Sequence, residues 1–231
     1  MKLLIASRNP HKLTEIRAIF NLPGMEIVGA HAIEGLPEVI EDGRTFQANA
    51  VKKAVSLAML TKLWTLADDS GLEVDALNGE PGVYSARFAG EPAIAGQPAN
   101  YVANNVKLLS LLEQQDHRAA RFVCVVALSS PSGRAQIVEG ICQGRILRES
   151  RGEQGFGYDP LFVPDSYAQT FAQMDAALKN QISHRARALK LALQTWSELL
   201  GQSAADWPAR SPSRSAMAEH GRPKRKILEK D

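Results

Sequence analysis

The sequence predicts an α/β protein in which a central mixed β-sheet is flanked by helices. Three stretches point there. The chain opens with an apolar run, a polar loop and an amphipathic segment, the order expected of strand, loop and helix. Residues 45–61 have helical spacing and many alanines, and Ala48, Ala50, Ala54 and Ala58 suit a helix pressed closely onto a sheet. Residues 121–128 are almost continuously apolar, as in a strand buried on both faces.

In order, residues 2–6 read as the first strand, and residues 12–20 as a helix with Leu13, Ile16, Ile19 and Phe20 on one side. Asn9 suits its N-cap and Pro10 its first turn. Residues 25–29 are a second strand, and residues 34–43 an irregular segment holding carboxylates and two glycines. Thr45 caps the alanine-rich helix, which runs to Thr61. On it Asn49 and Lys53 lie four apart and share a face, by default a solvated one.

Residues 64–67 and 71–76 read as strands flanking a turn, Asp68-Asp69-Ser70. Residues 77–88, rich in Gly and Pro, form a structured loop, and a helix covers residues 98–113. The strand at 121–128 pairs with 135–148 across a Ser-Ser-Pro-Ser-Gly turn, either extending the sheet or building a second lobe. A glycine-rich loop at 152–157 follows, and Ser183 caps an amphipathic helix over 186–200.

At 231 residues, 45% hydrophobic and 23% charged, the chain has the make-up of a soluble protein with a proper core, and one large domain is expected. The net charge of +2 is uneven. Residues 201–231 carry seven Lys and Arg against four Asp and Glu, a net +3, which leaves −1 for residues 1–200. That segment is rich in Ser, Pro and Arg, so a disordered basic tail is expected, able at most to touch nucleic acid nonspecifically. Cys124 and Cys142 lie in apolar runs, as small buried hydrophobes do, and neither spacing suits zinc. No run reaches the length of a membrane span, and a cytoplasmic location is expected.

Several residues carry chemistry. Asp68 and Asp69 at a strand end would aim two carboxylates at one place, which suits a divalent cation, although such a string is also an ordinary polar turn. The loop Ser7-Arg8-Asn9-Pro10-His11-Lys12 joins a helix N-terminus to two basic side chains, a plausible cradle for a triphosphate without the glycines of a P-loop. Arg87 could meet a phosphate or pair with a carboxylate of the site. Phe156 between two glycines could stack on something flat or plug its loop into the core. His184 and Arg185 begin a helix, a second anion-friendly position.

Five separated stretches follow one pattern: Ser7-x-Asn9-x-x-Lys12; Glu41 with Thr45-Phe46-x-x-Asn49-Ala50-x-x-Lys53-Ala54; Ala67-Asp68-Asp69-Ser70-Gly71-Leu72; Gly155-Phe156-Gly157-Tyr158-Asp159-Pro160; and Ser183-His184-Arg185. In these the chain resembles the inosine triphosphate pyrophosphatase, or Ham1-like, family of non-canonical purine nucleoside triphosphate pyrophosphatases, and is most similar to its bacterial dITP/XTP members. The likeness covers residues 1 to about 200. One position departs from it, because Ala48 stands where members commonly carry Glu, and the tail lies outside it.

The resemblance implies an elongated, two-lobed protein with a nucleotide cleft between the lobes, typically a homodimer. It implies magnesium-dependent hydrolysis of ITP, dITP and XTP between the α and β phosphates, giving a monophosphate and pyrophosphate. Asp69 would be the general base and a metal ligand, with Asp68 and Glu41 completing or supporting the metal site. Ser7 to Lys12 would hold the triphosphate, Arg8, Pro10 and His11 entering as loop. Lys53 and Lys179 match basic positions facing the phosphates or the base. Phe156 would stack on the purine, Gly157, Tyr158 and Asp159 would line the site, and Ser70, His184 and Arg185 would read the base and anchor the nucleotide.

The chemistry of the residues agrees, since phosphoryl transfer asks for positioning and charge neutralisation, and a 6-oxo purine for donors that adenine would leave unpaired. The rivals are a related Maf-type pyrophosphatase of other modified nucleotides and a nucleotide-binding module without catalysis.

Overall fold

The computed structural model describes residues 1–20, 23–90 and 99–201. The expected basic tail, 201–231, lies beyond these except for Gly201, as does Pro98 of the expected helix at 98–113.

Six strands and five α-helices form the frame of the described part: β1 (Lys2–Ile5), α1 (Pro10–Ile19), β2 (Glu26–Gly29), α2 (Phe46–Thr61), β3 (Trp64–Val74), α3 (Tyr101–Leu111), β4 (Ala119–Ser129), β5 (Ala135–Ile146), β6 (Phe162–Pro164), α4 (Ala176–Ile182) and α5 (His184–Gly201). The sheet is mixed, in the order β2-β1-β3-β4-β5-β6. β1 runs parallel to both β2 and β3, while β3 to β6 pair antiparallel.

Local rules explain the helix starts. Asn9 accepts from the amides of His11 and Lys12, Thr45 from that of Ala48, and Ser183 from that of Ala186. Each cap sets where a helix begins, and so where the loop before it ends.

β3 corrects the expectation of two strands around a turn. It is one strand of 11 residues, because β4 pairs with it throughout: Asp68 faces Val126, Asp69 faces Val125 and Ser70 faces Cys124. Continuous pairing leaves no room for a turn, whatever the local composition favours. Gly71 serves close approach here rather than a turn, since a Cβ on it would lie 2.4 Å from Ser85 Oγ and 2.5 Å from Gly82 O.

Three cores follow from the layers. Leu3, Ile5, Leu66, Val126 and Leu128 pack against Leu13 and Ile16 of α1 and Leu189, Ala192 and Trp196 of α5. The opposite face carries Leu4, Ala67, Val125 and Ala127 against Phe46, Ala50, Ala54 and Leu57 of α2. Beyond the parallel strands, Leu72, Phe122, Cys142, Leu108, Phe162 and Phe171 make a third core, the second lobe of the molecule.

The lobes meet where β1 stops. Ile5 pairs with Leu66, the Ala6 amide donates to Leu66 O, and β3 then runs on toward the second lobe without β1 beside it. Asp68, Asp69 and Ser70 follow at once. The carboxyl end of a parallel strand, where chain directions diverge, is the usual place for a ligand crevice.

Candidate active site

Alternation along β3 splits the two aspartates. Asp68 is in register with Leu66 and points toward α1 and α5, whereas Asp69 is in register with Ala67 and points toward α2. The expectation that both aim at one place is corrected by this geometry.

On the α1/α5 side, Asp68 Oδ2 takes Nη2 of Arg185 and Nζ of Lys12, each at 3.1 Å. Burial alone would raise its pKa, but Lys12, Arg185 and Lys53 hold it far below the usual carboxylate range. Its other oxygen, Oδ1, has no hydrogen-bond partner among the described residues, which leaves an acceptor for water or a bound group. Ser70 Oγ accepts from Arg185 at 2.9 Å.

The network continues outward. Arg185 also pairs with Glu15, Glu15 with Lys179 at 2.9 Å, and Lys179 with Asp159 at 2.6 Å. Asp159 in turn accepts from the Phe156 amide at 2.9 Å. A chain of alternating charges thus runs from the strand edge to the loop that carries Phe156. That loop needs its glycines: Gly155 and Gly157 have φ of 75° and 66°, and a Cβ on Gly155 would lie 2.1 Å from Asp159 Oδ2.

Phe156 stacks on His11 at a centroid distance of 5.3 Å, with Tyr101 at 6.0 Å and the cations of Lys179 and Arg185 at 5.1 and 5.7 Å. The ring faces the first turn of α1, so it is no core plug. Tyr158, by contrast, is buried, its hydroxyl donating to Ser85 O at 3.0 Å, and Gly157 O accepts from Asn105. Tyr158 braces the loop from within where it was expected to line the site, while Gly157 stays half-buried with open space beside its Cα. His184 is buried as well, its ring stacked 4.6 Å from Phe122. Burial and the charges of Arg185 and Lys179 push its pKa well below the ordinary value, so it is neutral.

On the α2 side, Asp69 Oδ2 accepts from Asn49 Nδ2 at 3.0 Å and Oδ1 from the Ser70 amide at 3.1 Å. Lys53 lies 3.9 Å away, donating to Glu41 at 2.9 Å and to Asp68 O at 2.8 Å. Asn49 and Lys53 are therefore buried site residues rather than a solvated face. Burial raises the Asp69 pKa to about 6; Lys53, Lys12 and Asn49 pull it down, and the charge of Glu41 adds to the rise.

That balance bears on a metal. Glu41 feels the charge of Asp68, Asp69 feels that of Glu41, and all three carboxylates act on Lys12, so the residues expected at the metal share one electrostatic neighbourhood. Asp68 is held through Oδ2 by Arg185 and Lys12, which leaves Oδ1 as its open acceptor. Glu41 and Asp69 do fit a hard cation, since they repel each other across Lys53 and magnesium characteristically takes one or two carboxylates plus substrate phosphates.

In the loop after β1, Ser7 Oγ accepts from the Asn9 amide, Arg8 donates to Leu36 O at 2.6 Å, and Asn9 Nδ2 reaches Tyr101 OH at 3.4 Å. Pro10 opens α1. Arg87 donates to the backbone oxygen of Glu41. The sequence reading missed Glu15, which lies three residues after Lys12 on the same face of α1, and that spacing was the signal available.

The model of the Ham1 family matches residues 3–195. The chain belongs to the Ham1 family. Two relatives, each called dITP/XTP pyrophosphatase, are 53% identical over 201 residues (Desulforamulus reducens; 86% of this chain, 97% of the relative) and 44% identical over 221 residues (Opitutus terrae; 91% and 100%). Among solved structures, the Ham1 protein of Staphylococcus aureus superposes with a TM-score of 0.76 at 39% identity, covering 86% of this chain and all of that one. A nucleoside-triphosphatase / dITP/XTP pyrophosphatase from Mycobacterium abscessus does so at 0.67 and 42%, covering 84% and 99%. Membership of the Ham1 family answers the Maf-type rival. No helix among the described residues is long and apolar enough to cross a membrane.

Proposed function

We propose that this Ham1-family protein hydrolyses non-canonical purine nucleoside triphosphates, dITP, ITP and XTP, to the monophosphate and pyrophosphate. The observation that carries the proposal is Asp69: a buried carboxylate with its pKa lifted to about 6, 3.9 Å from Lys53 and just past the end of β1 in the sheet. Such a group is ionised at neutral pH yet basic enough to accept a proton. The dITP/XTP names of its relatives supply the substrate class.

Asp69 takes the proton of the attacking water, whose oxygen bonds to phosphorus as the α–β anhydride breaks and pyrophosphate leaves. Lys12 and Lys53 balance the phosphate charge, and residues 7–12 hold the triphosphate. Asp69 and Glu41, with Asp68 in support, would hold magnesium, which would supply neutralisation of the phosphate charge. Phe156 stacks on the purine. Lys179 and Arg185, beside that ring, offer donors that a 6-oxo group accepts and an adenine amino group leaves unpaired.

Residues 1–200 act as one pyrophosphatase unit, in the cytoplasm, and a homodimer is in keeping with the exposed Val102 and Val106, one turn apart on α3. The test is product stoichiometry. Chromatography of a dITP digest should give dIMP and pyrophosphate in equal amounts, whereas dIDP and orthophosphate would contradict the proposal.

A further inference from the structure

Asn49 uses both ends of its amide. It is 1% exposed, in the first turns of α2, and its Oδ1 accepts from the Gly43 amide at 2.7 Å while its Nδ2 donates to Asp69 Oδ2 at 3.0 Å. The Gly43 N–H is a fixed backbone donor, so it dictates which end of the amide is oxygen, and the nitrogen must then face the carboxylate. Gly43 lies two residues beyond Glu41, on the segment whose carboxylate shares Lys53 with Asp69. One side chain therefore ties the segment that brings Glu41 to the strand that brings Asp69. The fit is tight: a Cβ on Gly43 would lie 2.5 Å from Asn49 Oδ1 and 2.9 Å from the Ala48 Cβ.

We infer that Asn49 is a positioning residue, locking the Asp69 carboxylate in one rotation and holding the Glu41 segment at a fixed distance from it. The inference rests on the function proposed above and adds to it. Asp69 has two further neighbours, but the Ser70 amide belongs to its own strand and Lys53 stands 3.9 Å away. Asn49 is the hydrogen bond, beside the longer Lys53 ion pair, that relates the carboxylate to another element. A base must lie within hydrogen-bond reach of the proton it removes, and misplacement shows in turnover before it shows in binding.

The test compares Asn49→Asp, Asn49→Leu and Gly43→Ala with wild type on dITP, each checked for folding by thermal melting. Asn49→Asp keeps an acceptor for Gly43 but has no N–H for Asp69, and Gly43→Ala displaces the amide without touching Asp69. The inference predicts that all three lower kcat about 10- to 100-fold with KM within about threefold of wild type. It also predicts melting temperatures that are non-additive in the Asn49→Leu and Asp69→Ala double-mutant cycle. Wild-type kcat in Asn49→Asp and Gly43→Ala, or a rise confined to KM, would overturn it, as would an additive cycle. The cycle reads the contact without turnover, so an inactive wild type with a coupled cycle would sink the proposed function and leave the contact standing.

Discussion

Asp68 and Asp69 are adjacent in the chain and face opposite sides of β3: Asp68 is paired with Arg185 at 3.1 Å, and Asp69 accepts from Asn49 at 3.0 Å. The first carboxylate is locked into an ion network, whereas burial lifts the pKa of the second to about 6. Substitution should separate the two roles.

Asp69→Asn is expected to lower kcat about 10²- to 10⁴-fold while nucleotide binding is retained. Its melting temperature at pH 8 should equal or exceed that of wild type. The folded pKa of Asp69 lies above the unfolded value, so its ionised form weakens the fold once pH rises through about 6, and Asn removes that penalty. Loss of binding together with activity would contradict this.

Asp68→Ala should behave in the opposite sense. It leaves Lys12 without its buried partner and Arg185 with Glu15 alone, a change worth roughly 3–5 kcal/mol, or a fall in melting temperature of about 6–20 °C. Calorimetry checks it, and an unshifted transition would show that the pairs contribute little.

The pH dependence of kcat/KM follows from the raised Asp69 pKa. Activity should fall below about pH 6, well above the range of an ordinary carboxylate, because the base must be unprotonated. Lys53→Met should move that limb to still higher pH, since Lys53 favours the ionised form. A limb near pH 4 would contradict the assignment.

Phe156→Ala should raise KM for dITP about 10- to 100-fold, the usual worth of one stacked base, and change kcat less. Unchanged KM would remove the ring from the binding site.

Features governed by neighbours in sequence could be read from the sequence. Asn9, Thr45 and Ser183 are N-caps because cap chemistry is local. The extended stretch at 68–70 could not be read, because its small polar residues favour a turn and only the pairing with 124–126 of β4 holds them straight. Asn49 and Lys53 looked like a solvated face for a related reason. Their partners, Asp69 and Glu41, approach only in the fold. The short elements β6 and α4 carry too few residues for a periodic signal. Glu15 was hidden because an acidic residue on the first helix is ordinary until Arg185 and Lys179 close on it.

The most direct measurement is pyrophosphate release from dITP, XTP, dATP and dGTP, with and without magnesium. Magnesium-dependent release from dITP and XTP, with dATP and dGTP slower by orders of magnitude, is the predicted result. No release from any of the four would contradict a catalytic role for Asp69 and leave a nucleotide-binding module.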